Sequence, residues 1–133
     1  MAHMTSKYAL LLSLILAGSP ALAADWEGGD AAKGEKIFKK CQSCHTVEKD
    51  GGHRIGPNLH GILNSKAAAK PGYSYSPAMK AKAAEGLVWT GQELHAYLEK
   101  PQAHVPRTTM SFIGLKKPED RRDLIAYLIE ASK

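Results

Sequence analysis

The sequence predicts an all-α protein of about four short helices joined by long loops, and three observations lead there. Apolar residues recur at helical spacing, with Leu94, Tyr97 and Leu98 on one stripe and Leu124, Ile125, Leu128 and Ile129 on another. Helix starts and stops are written out repeatedly, whereas the alternation that marks strands is nearly absent. Two stretches, Lys49 to Tyr75 and Pro101 to Lys117, are rich in Gly, Pro and Ser. Loops of that length in a small domain are as a rule functional or disordered.

Taken in order, the chain opens with Lys7, a short apolar run "YALLLSLILAG" and the small residues "ALAA". That layout reads as a secretory signal over residues 1–23, cut after Ala23, with "MAHM" a cloning remnant or native. The apolar run is shorter than the ~20 residues needed to span a bilayer. Residues 24–133 then form one domain in an exported, periplasmic protein. Losing Lys7 lowers the net charge from +5 to +4, with no block of like charge to suggest nucleic-acid binding.

The first helix is expected after Asp30, a good N-cap, running through Gly34 and Phe38 towards Cys41. Gly34 inside it costs about 1 kcal/mol against alanine, which points to a close approach by another element. "SPAMKAKAAEG" has a serine cap, Pro77 in the first turn and a closing Gly86. "TGQELHAYLEKP" opens with the capping-box pair Thr90 and Glu93 and is expected to stop at Pro101. The last helix starts at Pro118 with Glu119 and Asp120 at its positive end. Four short helices bury little apolar area, and a domain this small often needs outside help.

"CQSCH", Cys41 to His45, names that help. Two thiols one helical turn apart can each add across a vinyl group on one porphyrin edge, leaving the next residue, His45, beneath the ring centre. A plain disulfide or dithiol is the competing reading. Zinc is disfavoured because no second cysteine pair exists, and a thioredoxin-like site lacks its βαβ pattern. The expected cofactor is one covalent haem c on Cys41 and Cys44, with His45 on the iron. For the second axial position the candidates are His53, His60, His95, His104, Met79 and Met110. His53 and His60 lie too near the attachment site, His95 reads as merely exposed, and Met79 as core packing. Met110 lies in a distant loop flanked by proline and glycine, and a Met/His pair marks electron-transfer haems.

With "GDAAKGEKIFKKCQSCHTVEK", "GPNLHG", "PGYSY", "YLEKP" and "GLKKPEDRRDLIAYL" in order, the chain resembles the class I cytochromes c, in particular the bacterial cytochrome c2 and mitochondrial cytochrome c branch. The resemblance covers nearly all of residues 24–133. It implies the cytochrome c fold, with first and last helices crossing so that Gly34 and Phe38 meet Leu124 and Tyr127. It implies that the Pro57 carbonyl accepts from His45, that Tyr75, Trp89 and Thr108 serve the haem propionates or the polar network beside them, and that Tyr97 bonds the Met110 sulfur. It implies a soluble monomeric one-electron carrier, not an enzyme, that docks redox proteins, chiefly membrane-bound complexes, through Lys36, Lys40, Arg54, Lys116 and Lys117.

Departures from the family pattern are Asn64-Ser65 for a Gly-Arg pair, Met79 for asparagine, Gln102, Ala103 and Thr109 for lysines, and Arg107 for glycine. The loss of the arginine at Ser65 is expected to lower the reduction potential. Arg107 beside Met110 keeps a second class in play, a haem enzyme or gas-binding protein with a labile sixth ligand. A third is a dedicated electron-accepting subunit of one oxidoreductase.

Overall fold

The computed structural model describes residues 24–133, so the signal expected over 1–23 lies outside the described residues. It contains α1 (Ala31–Phe38), α2 (Pro77–Ala84), α3 (Gly91–Glu99), α4 (Pro101–His104) and α5 (Pro118–Glu130). Among the described residues the one pairing of extended backbone is an isolated bridge between Lys66 and Val88.

Three of the five described helices begin at a side chain that satisfies an orphan amide. The Asp30, Ser76 and Thr90 side chains accept from Lys33, Met79 and Glu93 N–H respectively. The α5 start relies instead on Pro118 and the acidic pair Glu119 and Asp120.

Three expectations need correction. First, α1 ends at Phe38, and Cys41 lies in the turns that follow. Second, α3 ends at Glu99, before Pro101 as expected, but the stretch read as loop from Pro101 opens with the short helix α4, because the fixed φ and missing N–H of proline suit a first turn as well as they end a preceding one. Third, the Glu93 carboxylate does not close a capping box. It meets His104 Nε2 at 2.7 Å, tying α3 to α4.

The core sits where α1 and α3 meet α5. Leu124, Ile125 and Leu128 are buried on α5, with Leu94, Tyr97 and Leu98 from α3 and Phe38 from α1. The α1/α5 crossing is close: a Cβ at Gly34 would lie 1.9 Å from the Asp123 carbonyl oxygen. Phe38 packs tilted against Tyr127 with ring centroids 5.3 Å apart, and Asp123 Oδ1 accepts from Asp30 N–H at 2.7 Å. Around this frame run the two long loops. Leu59, Ile62, Leu63, Leu87, Met110 and Phe112 touch the core yet remain half-buried.

Candidate functional site

Beyond α1 the backbone keeps turning, with Cys41 N–H donating to Phe38 O at 2.7 Å and His45 N–H to Cys41 O at 2.9 Å. Cys41 and Cys44 are therefore one turn apart, both free thiols and half-buried, with no disulfide between them. Burial pushes the Cys41 thiol up to about 11, against the pull of Lys40, so it is protonated at neutral pH.

The following loop is stitched to this turn. Gly56 N–H donates to Cys44 O at 2.8 Å, and Arg54 Nη1 donates to Gln42 O at 2.8 Å. His45 Nδ1 donates to the Pro57 carbonyl at 2.7 Å, which fixes the tautomer and leaves Nε2 with its lone pair. Burial holds the His45 pKa below its ordinary value, with the Pro57 carbonyl pulling the other way, so the imidazole is neutral as a metal ligand must be. A Cβ at Gly56 would stand 2.4 Å from His45 Cε1, so only glycine lets this loop close over the ring.

Asn58, buried and not singled out in the sequence, ties the loop together by donating to Thr46 Oγ1 at 2.8 Å and Glu48 O at 2.9 Å. The only signal for it was its place inside "GPNLHG".

A second cluster forms around Met110. The Tyr97 hydroxyl donates to Met110 Sδ at 3.3 Å and lies 3.4 Å from Thr108 Oγ1. Met110 N–H donates to that same Thr108 oxygen at 3.3 Å, and Gln102 Nε2 donates to Met110 O at 3.1 Å. Trp89 backs the group, its ring 4.9 Å from that of Tyr97. Burial raises the Tyr97 pKa, so its hydroxyl keeps its proton and stays a donor.

Tyr75 accepts from Lys70 N–H at 3.1 Å and packs edge-on against Tyr73. Lys36, Lys40, Arg54, Lys116 and Lys117 are all exposed. The other candidate ligands have partners of their own. His53 bonds Pro71 O and Asn58 N–H, His60 bonds Val47 O, His104 bonds Glu93, and Met79 packs against the core from α2. His95, read from sequence as exposed, is in fact buried beside Arg121, because α5 covers that side of α3.

Comparison with known proteins agrees with this geometry. The family model for cytochrome c matches residues 31–132. The chain belongs to the cytochrome c family. A cytochrome c of Gibberella zeae is 51% identical over 107 residues, covering 80% of this chain and 98% of its own length. One from Sesamum indicum is 50% identical over 105 residues, covering 78% and 92%. A cytochrome c2 of Agrobacterium tumefaciens is 46% identical over 101 residues, covering 76% and 91%.

Members of the cytochrome c family carry a covalent c-type haem and move electrons; they are not enzymes. The residues present fit that group. Two free thiols and a neutral imidazole follow one another in a single turn, and the half-buried apolar side chains packed against the core, Cys41 among them, suit a flat apolar ring. Family membership removes the haem-enzyme alternative that Arg107 had kept in play.

Proposed function

We propose that this protein is a periplasmic one-electron carrier whose haem is held by thioethers at Cys41 and Cys44 and whose iron is ligated by His45 and Met110. When bound, the haem supplies an iron that changes by one electron between ferric and ferrous forms. What remains is the work of the chain. Pro57 and Gly56 lock the His45 ring from behind, as orienting partners do for metal-bound imidazoles.

The observation that carries His/Met ligation is the Tyr97 hydroxyl 3.3 Å from Met110 Sδ. It places a buried donor on a thioether that Thr108 and Gln102 already hold by its backbone. Both ligands are thus fixed before an electron arrives, so little rearrangement accompanies its passage. Thr108 and Trp89 complete the polar and aromatic wall beside Tyr97, and the exposed cations Lys36, Lys40, Arg54, Lys116 and Lys117 receive redox partners. Export is supported by the signal-like layout of residues 1–23.

The test is spectroscopic. Oxidised holoprotein should show the weak far-red sulfur-to-iron band, and Met110→Ala should abolish it and lower the midpoint potential, within the ~0.8 V range that axial ligands control. A band that survives Met110→Ala overturns the assignment. Periplasmic fractions should contain a chain beginning at Ala24, which N-terminal sequencing reads directly.

A further inference from the structure

Between α3 and α5 lies a buried pair that no step of electron transfer uses. Arg121 is 4% exposed and His95 is 8% exposed, and Arg121 Nε donates to His95 Nε2 at 3.3 Å. The same guanidinium reaches the loop that carries Met110, its Nη1 donating to Leu115 O at 2.6 Å and Lys116 O at 3.0 Å. Leu115 is also bonded to α3, its N–H donating to Leu98 O at 2.7 Å. The C-terminal stem of the Met110 loop is therefore fastened to α3 through Leu98 and to α5 through Arg121, whose guanidinium also donates to His95.

We propose that His95 is a positioning residue for the Met110 loop, holding the Arg121 guanidinium on the Leu115 and Lys116 carbonyls only while its own imidazole is neutral. A neutral ring with its hydrogen on Nδ1 accepts from Arg121 at Nε2. A protonated ring has no lone pair there and sets a second positive charge against Arg121 in a buried site. The surroundings agree. Arg121 and Arg122 face the ring from α5, opposed by Asp25 from the N-terminal segment, while Glu99 on α3 lies 3.9 Å from Arg121 Nη1.

Burial first, and Arg121 next, hold the His95 pKa below its ordinary value, with the Pro118 carbonyl and Asp25 pulling upward. The sign follows from proton binding. The unfolded chain takes up a proton on this ring before the folded one does, so the fastening is complete above the unfolded value of ~6.5. It is lost as the pH falls from there through the folded value.

The functional consequence rests on Met110 being an iron ligand; the fastening itself does not. Two readouts on holoprotein separate them: the protection of the Leu115 amide against hydrogen exchange, and the far-red band. From pH 7 downward through the histidine range, wild-type Leu115 protection should fall about tenfold or more, the scale of a buried polar bond left unmade. The band should weaken in parallel.

His95→Gln offers an acceptor and a donor at every pH, and should flatten the acid side of both profiles. His95→Leu, which gives Arg121 Nε no acceptor, should lower Leu115 protection at pH 7 as well. A His95→Gln protein whose Leu115 profile overlays the wild type overturns the proposal. A wild type lacking the band at pH 7 defeats Met110 ligation instead, and the Leu115 profile still decides the role of His95.

Discussion

At the scale of single residues, Arg107 shows what the Met110 loop costs the backbone. Its φ is +65°, and Asn64 and Ala68 share the left-handed region at +62° and +54°. A Cβ there costs roughly 1–2 kcal/mol, while glycine's extra freedom in the unfolded chain costs about 0.5–1 kcal/mol. Arg107→Gly and Ala68→Gly should therefore each stabilise the holoprotein by about 0.5–1 kcal/mol, read as a higher denaturant midpoint at unchanged slope. Asn64→Gly should do nothing measurable or slightly destabilise, since asparagine tolerates this region. Equal effects at all three positions would show that strain at φ is not what distinguishes them. The sequence marked Arg107 as a place where glycine is usual, but the positive φ at Ala68 left no mark in it.

At the scale of elements, the α1/α5 crossing sets two effects against each other at Gly34. Alanine there gains about 1 kcal/mol of helix propensity. Its Cβ, however, would fall 1.9 Å from Asp123 O and 2.7 Å from Tyr127 Cβ, and neither is the loose end of a flexible chain. The helices must separate, so Gly34→Ala should destabilise by about 3 kcal/mol or more in spite of its propensity. Leu124→Ala on the facing helix, leaving a cavity at a residue 1% exposed, should cost about 2–5 kcal/mol. Denaturant unfolding of both variants measures this, and a stabilised Gly34→Ala would mean that the crossing is looser than drawn.

This crossing was legible in the sequence because a glycine inside an amphipathic helix is a local anomaly. The attachment motif was legible for the same reason, its chemistry lying within five consecutive residues. What could not be read were partnerships between residues far apart in the chain. Arg121 meets His95 across 26 positions, and Glu93 leaves its expected cap for His104 across 11. Periodicity reports which face of a helix is apolar and says nothing of which polar group waits on the other side.

For the molecule as a whole, charge is distributed unevenly around the proposed docking face. Lys36 and Lys40 on and after α1, Arg54 on the loop behind His45, and Lys116 and Lys117 before α5 are all exposed cations. Across residues 101–110 the one lysine or arginine is Arg107, and the His104 side chain is bonded to Glu93, while Ala103 and Thr109 are exposed and uncharged. Interactions between exposed charges fade beyond the screening length of ~10 Å at 0.1 M salt, so association with an acidic partner should depend on ionic strength only as steeply as the charged side allows.

Lysine at positions 103 and 109 together should steepen that dependence and raise the association rate about tenfold at low salt, within the range steering provides. Gln102 is the wrong place to add charge, because its amide holds Met110 O at 3.1 Å. Gln102→Lys should therefore perturb the far-red band as well as the rate, whereas Ala103→Lys with Thr109→Lys should change the rate and leave the band alone. Stopped-flow association across ionic strength, with the spectrum of each variant as control, separates the two effects. A slope unmoved by the paired lysines would place the partner wholly on the side of Lys36, Arg54 and Lys117.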